Sequence, residues 1–402
     1  MDTLIYVSDY RLCFERLKAY KDLFKIIVVD NKYKAHGEIP SGYFDEIRII
    51  DDVFNFKEYD QIFQERNIKY ILSPGEDVIT VGGYLRSKYN IRGLTREQAE
   101  SVRNKFLMKE IVRKNGIRTC KTRIARCRED FGQFVEDVGY PIIVKPLSGY
   151  ATINTFKITN NDELDSYIYK YFSAESQILM EEFITGRELH CDSIVSNGEI
   201  VFSSVGEYLY NCLDIATNGK PCASVIYPGQ CENVSYVGEI KKMNQRVIES
   251  LGITNSVCHM EVFLMEDGNL CFGEIAARIG GGDIIPPCIR NSYGVDIINA
   301  LVDLELDNFC LKNIKSSGPY TGFICFPSFA GTVRSISTED DFKHIDGLVQ
   351  LNISYKVGQG VKAAKDTATR AGFAIVEGYD IYELKNKLLD IYDSFILEIE
   401  EK

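Results

Sequence analysis

The strand pattern of the chain changes near residue 116, and this change limits the folds that are open to it. Before that point, short apolar and β-branched segments alternate with helical patterns, at residues 3–7, 25–30, 46–50 and 69–73. Strands that alternate with helices favour a parallel sheet of Rossmann-like type. After that point, strand patterns come in pairs around turn residues such as Ser148-Gly149 and Asn197-Gly198, which indicates antiparallel sheets. The sequence therefore predicts an α/β domain followed by α+β regions.

Two local patterns refine this division. The first strand is followed by Ser8-Asp9-Tyr10-Arg11 without any glycine, so the G-x-G-x-x-G approach to a pyrophosphate is absent. A long polar helix is predicted from Thr95, which forms a capping box with Gln98, to Gly116, which is typical of a helix end. The first sheet is therefore not expected to bind a dinucleotide.

Composition excludes several classes of protein. Apolar residues make up 45% and charged residues 26% of the 402 residues, as in ordinary globular proteins. The net charge of −12 argues against a broad nucleic-acid surface, which needs clustered Lys and Arg. No stretch approaches the roughly 18 consecutive apolar residues of a membrane span, and the start lacks the basic flank of a signal peptide. We expect a cytoplasmic protein with neither nucleic-acid nor membrane partners.

The twelve cysteines do not suggest a metal site. They contain no C-x-x-C, and the pairs His190-Cys191 and Cys258-His259 lack metal-ligand spacing. Reduced and mostly buried thiols are therefore expected.

The strand pair around Asp267-Gly268 permits a sharper prediction. If that dipeptide is a two-residue hairpin turn, Glu266 faces Asn269, and Glu261 then faces Glu274. Facing residues have Cβ atoms about 4.5–5.5 Å apart, and like charges at that separation destabilise a sheet. A protonated carboxyl, a nearby Lys or Arg, or a divalent cation would compensate; a solvent-facing pair screened by salt is the simpler alternative.

The same register makes two further predictions about the hairpin. It sets Phe263 opposite Phe272 and His259 opposite Ala276 on one face. That face would be apolar at one end and charged at the other.

Taken singly, other charged residues give weak signals. Lys145 lies in the apolar strand YPIIVKP, where it either faces a phosphate near the following turn or extends to water. Lys105 lies in a helix where many basic residues are solvated. Glu76 either holds a substrate ammonium or caps the next helix, and the cap is preferred.

Five segments, however, occur in a particular order: NKFLMKEIVRKNGI, YPIIVKP, MEEFITGRE, HMEVF and GEIAARIGGG. In order and spacing they resemble the ATP-grasp superfamily of carboxylate ligases over roughly residues 1–310. The ending GYDIYELKNKLLDIYDSFI is similar to the C-terminal region of the branch that contains purine-biosynthetic ligases, carnosine synthase and bacterial amino-acid ligases.

The resemblance implies an ATP-grasp fold with four parts. These are a Rossmann-like domain at 1–103, a small ATP-binding part at 104–185, a large part with the metal site at 186–310, and a small β-rich C-terminal extension at 311–402. The two ATP-binding parts would contain antiparallel sheets.

The resemblance also implies roles for individual residues. Lys105 and Lys145 match the lysines that contact ATP phosphates, and Glu188 matches the acid that binds the ribose hydroxyls. Arg278 matches the arginine near the phosphoryl group and the substrate carboxylate, so Arg278 and Lys145 are the implied catalytic residues. The adenine would be read by backbone of the linking strand, Glu181, Glu182, Phe183 and Ile184.

For the metal, the resemblance matches Glu261 and Glu274 to the Mg²⁺ ligands, in agreement with the hairpin argument. The glycines at 280–282 would let backbone approach the substrate. Two features depart from the family pattern. Ala276 stands where many relatives have Asn, so coordination would rest on the two glutamates and water, and the loop LSGYATINT is poor in glycine for a phosphate-covering loop.

The implied activity is ATP-dependent activation of a small carboxylate as an acyl phosphate, followed by attack of an amine. The implied cofactors are ATP and Mg²⁺, with Mn²⁺ as an alternative. One alternative acceptor is the thiol of an acyl carrier protein, and another hypothesis is a nucleotide-binding subunit without turnover. Small-molecule substrates are the expected partners, and a homodimer is compatible with the family.

Overall fold

The structure, a computed structural model, describes residues 2–7, 11–31, 42, 44–173, 177–311, 314–315, 317–364, 366 and 369–400. The glycine-free turn at Ser8, Asp9 and Tyr10 lies outside these residues. Among the described helices, none is both long enough and apolar enough to cross a membrane. All twelve cysteines are free thiols, and most of them are buried, as expected.

The N-terminal region forms a four-stranded parallel sheet, as the sequence predicts. Its strands are β1 (Thr3–Val7), β2 (Lys25–Asn31), β3 (Glu46–Ile50) and β4 (Ile68–Leu72), in the order β3-β2-β1-β4. The helices of this region are α1 (Phe14–Lys18), α2 (Phe56–Glu65), α3 (Ile79–Tyr89) and α4 (Arg96–Arg103). Strand β1 is buried along its whole length, as expected for a central parallel strand.

The single helix predicted up to residue 116 is wrong, because a second helix, α5 (Lys105–Lys114), begins directly after α4. The capping box at Thr95 is confirmed. Asn104 is extended, with φ −83° and ψ 101°, and its side chain accepts from the N–H of Leu107 (3.1 Å). This capping bond supports a new helix start and makes Lys105 the first residue of α5. The Lys105 N–H donates to the carbonyl of Leu147 (2.9 Å), which ties this start to the loop after the lysine strand.

A small antiparallel sheet follows. Its strands are β5 (Thr122–Ala125), β6 (Ile142–Pro146), β7 (Phe156–Ile158) and β8 (Ile178–Glu182), in the order β5-β8-β6-β7, with helices α6 (Arg128–Val138) and α7 (Asn161–Tyr171). The pairing of β6 with β7 agrees with the sequence, but nine residues, 147–155, join them instead of a tight turn at Ser148-Gly149. Ala151, Thr152 and Asn154 in this loop have φ of 54°, 56° and 56°, so the left-handed backbone occurs at three residues other than glycine.

The remaining strands form a large sheet and a small one. They are β9 (Arg187–Ser196), β10 (Glu199–Tyr208), β11 (Ala223–Tyr227), β12 (Ser256–Leu264), β13 (Leu270–Ala276), β14 (Tyr320–Phe326), β15 (Gly331–Ile336), β16 (Leu348–Ile353), β17 (Gly360–Val361), β18 (Gly372–Gly378) and β19 (Leu397–Glu400). Eight of them form one antiparallel sheet in the order β13-β12-β9-β10-β11-β14-β18-β16, and β17-β15-β19 form the other. The turn predicted at Asn197-Gly198 joins β9 to β10.

The helices of this half are α8 (Cys212–Asn218), α9 (Ser235–Leu251), α10 (Ile285–Tyr293), α11 (Ile297–Glu305) and α12 (Ile381–Ser394). One apolar core joins the first parallel sheet to the large sheet through α10 and α11, and it contains Leu4, Ile194, Ile289, Leu301 and Phe323. Because β14 pairs with β11, the C-terminal strands continue the large sheet. The four-part domain division stays a prediction.

Candidate active site

One cavity of about 1020 Å³ collects every predicted site residue. Its walls come from the small sheet, the large sheet, the loop before α3 and the segment before β18, which contributes Arg370. The predicted residues that line it are Lys105, Lys145, Glu181, Glu182, Phe183, Ile184, Glu188, Glu261, Glu274 and Arg278.

 Residue 370 lies two positions before β18 and reaches this cavity from the C-terminal part of the chain. The fold thus brings together residues that lie up to 173 positions apart in the predicted set, from Lys105 to Arg278.

The two predicted lysines meet carboxylates across the cavity. Lys105 Nζ lies 2.6 Å from Glu274 Oε2, and Lys145 Nζ lies 3.7 Å from the same oxygen. Lys145 Nζ is also 2.8 Å from Glu181 Oε2. The small sheet and α5 therefore direct two ammonium groups at one carboxylate of the metal-binding hairpin predicted from sequence.

Sequence reasoning missed a third lysine. Lys109 is one helical turn beyond Lys105, is 2% exposed, and its Nζ contacts Glu181 Oε1. Burial alone would raise the pKa of Glu181, but the charges of Lys109 and Lys145 lower it to about 2. The four-residue spacing from Lys105, which sets both lysines on one helix face, is the signal that could have identified Lys109.

The predicted pairing of Glu261 with Glu274 is confirmed, although the predicted turn is wrong. The Met265 N–H donates to Asn269 O (2.9 Å) and encloses a three-residue loop, so Glu266 does not face Asn269. A β-bulge at Gly273 then adds one residue to β13 and restores the predicted register beyond it.

The bulge also determines which of the other predicted cross-strand pairs form. Val262 faces Phe272 and Phe263 faces Cys271, so the Phe263–Phe272 pair is wrong. His259 faces Ala276, as predicted, because this pair lies on the far side of the bulge.

A third carboxylate, Glu188, lies beside this pair. One carboxylate oxygen each from Glu188 and Glu261 and the thiol of Cys212 lie within 4.8 Å of one another. The Cys212 N–H donates to Glu188 Oε2 (2.7 Å). Burial and then the charge of Glu261 raise the pKa of Glu188 to about 8. The acids are therefore crowded enough for their charges to interact.

The donor set fits a divalent cation such as Mg²⁺. Glu261 and Glu274 offer the hard oxygen ligands that Mg²⁺ prefers, and their mutual repulsion is relieved by a cation. Cys212 offers a soft thiol whose pKa burial raises well above the ordinary value, so the carboxylates suit Mg²⁺ better. Ala276 has no side-chain atom that could bind a cation, so the two glutamates are the candidate ligands from this hairpin.

Arg278 is held by an acid from the N-terminal region. Its Nε lies 2.5 Å from Glu76 Oε2, and Arg103 Nη1 lies 2.7 Å from the other oxygen of Glu76. Burial alone would raise the pKa of Glu76, but Arg278 and Arg103 hold it below the ordinary value. The preferred capping role of Glu76 is wrong, since α3 begins after Val78 without a side-chain cap.

Beneath the hairpin lies a buried network that chain spacing did not indicate. Asp192 Oδ2 is 2.6 Å from His190 Nδ1, and Asp192 Oδ1 is 2.9 Å from His259 Nδ1. His259 Nε2 in turn lies 3.6 Å from Glu261 Oε1. Although burial by itself lowers it, the pKa of His259 is raised to about 9, chiefly by Asp192. Alternation along β9 and pairing with β12 bring these residues together, which sequence spacing alone could not reveal.

The three glycines after the hairpin have different surroundings. A Cβ on Gly280 would lie 2.2 Å from His259 Nδ1, so this position accommodates the imidazole ring. Gly281 and Gly282 line the cavity and have φ of 59° and 61°, which favours glycine. Gly280 thus makes room for the His259 ring. That backbone at Gly281 and Gly282 approaches the substrate stays a prediction.

Lys145 on the small antiparallel sheet and Lys105 on α5 face a hairpin of paired carboxylates across the cavity, as the ATP-grasp resemblance implies. The family model described as D-ala D-ala ligase C-terminus matches residues 115–284, and the model described as L-amino acid ligase C-terminal domain 2 matches residues 323–400. These matches confirm the resemblance to the ATP-grasp superfamily of carboxylate ligases and the expected ATP-grasp fold, and they show an enzyme of the carboxylate–amine ligase type.

Individual relatives agree with this assignment. An L-arginine-specific L-amino acid ligase of Bacillus subtilis is 26% identical over 93% of this chain and 90% of its own length. Dapdiamide A synthase of Enterobacter agglomerans is 24% identical over 82% of this chain and 80% of its own. The crystal structure of an L-amino acid ligase from Bacillus licheniformis has a TM-score of 0.78 at 17% identity, covering 100% of this chain and 99% of that one.

Proposed function

We propose that this enzyme uses Mg²⁺-ATP to activate the carboxylate of one amino acid and joins it to the amino group of a second. The observation that carries the proposal is the meeting of Lys105 and Lys145 at Glu274 Oε2, at 2.6 and 3.7 Å. The ammonium groups of two lysines therefore lie beside the same carboxylate, which belongs to the facing acid pair. That arrangement suits a phosphoryl group bridged to a metal.

The reaction balances without a nucleophile from the chain. A carboxylate oxygen of the first substrate attacks the γ-phosphorus of ATP, and ADP leaves with the electrons of the broken P–O bond. The amine of the second substrate attacks the acyl phosphate carbon, phosphate leaves, and the nitrogen loses one proton. Phosphoryl transfer of this kind needs mainly alignment and charge neutralisation, so the cysteines need no catalytic role.

The lysines would act by exchanging partners. In the structure, Lys105 pairs with a carboxylate oxygen of Glu274 and Lys145 pairs with one of Glu181. Phosphate oxygens would take over part of this role, and Glu274 would then hold the cation together with Glu261. Bound Mg²⁺, or Mn²⁺ in its place, supplies neutralisation of phosphate charge.

The other predicted residues would position the nucleotide and the acyl group. Phe183 and Ile184 follow β8 and would present backbone to adenine, while Glu188 would accept hydrogen bonds from the ribose hydroxyls. Arg278, held at Nε by Glu76, keeps further guanidinium donors for the developing acyl phosphate.

The test is ADP release measured over pairs of amino acids, with identification of the product by mass spectrometry. Wild type should release ADP only when both substrates are present, and Glu274→Ala should lower kcat/KM at least a hundredfold. Glu266→Ala is the matched control, because Glu266 is exposed in the loop of the same hairpin. Undiminished activity of Glu274→Ala with Mg²⁺ present would contradict the site assignment. Loading of an acyl carrier protein instead of an amine would contradict the proposed acceptor.

A further inference from the structure

Arg370 differs from the other cations that line the cavity. Lys105, Lys109, Lys145 and Arg278 are each paired with a carboxylate that also lines it. Arg370 contacts Asp283, which is not among the lining residues and whose side chain is 48% exposed. The Arg370 side chain itself is only 17% exposed. A largely enclosed guanidinium thus faces the cavity without a carboxylate partner from the described lining.

The surroundings of Arg370 suit an organic ligand better than a phosphate. The guanidinium lies 5.6 Å from the centre of the Phe373 ring. The cavity lining also includes Cys222, whose thiol interacts with Arg370, and Ile284, which directly follows Asp283. The guanidinium of Arg370 therefore borders the cavity beside aromatic, aliphatic and thiol side chains, and its carboxylate partner Asp283 lies outside the described lining.

The proposed reaction creates a need for such a group. When two amino acids are joined, one carboxylate is activated and at least one other carboxylate is not. The activated carboxylate has Arg278 and the lysines as its proposed partners. An unactivated carboxylate buried in the same cavity would be costly unless a cation paired with it.

We propose that Arg370 is a specificity-determining residue that binds a carboxylate which is not activated. This carboxylate comes either from the side chain of an acidic first substrate or from the α-carboxylate of the amino acid acceptor. The planar guanidinium matches carboxylate geometry through two parallel hydrogen bonds. The inference rests on the proposed function, and it adds the chemical class of group that the enzyme selects.

The rival explanation is that Arg370 only ties the C-terminal region to the segment at Asp283. Two variants separate the explanations. Arg370→Gln removes the charge and the ion pair, whereas Asp283→Asn removes the same ion pair and keeps the guanidinium. Kinetics are measured with each acid and its carboxamide: aspartate against asparagine and glutamate against glutamine as first substrate, and an amino acid against its α-amide as acceptor.

Arg370→Gln should raise KM for the carboxylate-bearing substrate by about tenfold to a hundredfold, as expected for loss of a hydrogen bond to a charged group. KM for the matched amide and KM for ATP should stay within twofold, and Asp283→Asn should not reproduce the selective loss. Selectivity among first substrates identifies a side-chain carboxylate, and selectivity among acceptors identifies the α-carboxylate. Equal losses for acid and amide, or no loss for either, would overturn the proposal.

Two measurements keep this test independent of turnover and folding. Calorimetric titration of the full chain with the same acids and amides, in the presence of a non-hydrolysable ATP analogue, should give the same selective loss. Wild type that releases no ADP but binds acids through Arg370 would contradict the proposed function alone. If Arg370→Gln does not fold, Arg370→Lys keeps the positive charge but not the two parallel N–H donors. Arg370→Lys should weaken binding of the acid by a smaller factor and leave binding of the amide unchanged.

Discussion

Glu261 and Glu274 face each other across β12 and β13 because two irregularities cancel. The loop at 266–268 holds three residues, which shifts the register by one position relative to a two-residue turn. The β-bulge at Gly273 shifts it back by one, so every pair beyond the bulge has the register that a two-residue turn would give. The acid pair therefore depends on Gly273 as well as on the two glutamates.

We expect Gly273→Ala to impair Mg²⁺-dependent activity clearly and to lower the free energy of unfolding only slightly. A Cβ at this position would lie 3.0 Å from the carbonyl oxygen of Glu261, so the strands must separate by a few tenths of an ångström beside the acid pair. The Mg²⁺ concentration needed for half-maximal activity should rise several-fold, while the free energy of unfolding falls by only about 1 kcal/mol. Activity assays over a Mg²⁺ titration and urea unfolding measure the two effects, and an unchanged Mg²⁺ dependence would contradict this role of the bulge.

Removal of Lys109 should be strongly destabilising. Its side chain is 2% exposed and contacts Glu181, which is itself buried, so Lys109→Met leaves that carboxylate with Lys145 alone. Loss of one partner from a buried ion pair typically costs about 3–5 kcal/mol. Urea unfolding should reveal a loss near the lower end of this range. Lys114→Met, at an exposed position of the same helix, is the control and should lie close to wild type.

The Glu181 pair should also make stability depend on acid pH. The folded pKa of Glu181 is about 2, below its ordinary value of 4.5, so ionised Glu181 stabilises the fold above pH 4.5. This contribution is lost as the pH falls from 4.5 towards 2. Wild type should therefore be more stable than Glu181→Gln at pH 6, and the difference should shrink between pH 4.5 and 2. A difference that does not narrow in urea unfolding over this window would contradict the assignment.

Glu76→Gln should affect the carboxylate substrate and not ATP. The substitution removes the charge that Arg278 and Arg103 share, and Arg278 loses the partner that fixes its Nε. We expect kcat/KM for the carboxylate to fall by about tenfold to a hundredfold, with KM for ATP within twofold of wild type. Asp77→Asn is the matched control, because Asp77 is the next residue in the same loop and its carboxylate lies 3.5 Å from Arg103. Equal losses in both variants would assign the effect to Arg103.

Much of the site could be predicted from the sequence because its residues lie on strands with period two and in ordered motifs. Glu261 and Glu274 illustrate this best, since alternation and pairing set them on facing positions. The contacts that could not be predicted join distant parts of the chain. Glu76 reaches Arg278 across 202 positions, and such pairs depend on how sheets pack rather than on local pattern.

The boundaries of helices and turns were harder to predict from the sequence than the type of each element. Asn104 ends one helix and begins the next, whereas helical periodicity continues through it without a break. The choice between helix interior and cap depends on one side-chain hydrogen bond worth about 1 kcal/mol, which periodicity does not reveal. The same limit applies to the turn at 266–268, where one loop residue changes the local register.

The continuous eight-stranded sheet has a consequence for how such an enzyme could change its substrates. Strands β11 and β14 are hydrogen-bonded neighbours, so cutting the chain between them would leave an unpaired edge along β11. A C-terminal segment taken from a relative would have to form the hydrogen bonds between β11 and β14 again. Replacement of single side chains that line the cavity would leave this strand pairing intact. We therefore expect the substrate range of this architecture to diversify by point substitution and not by exchange of whole segments.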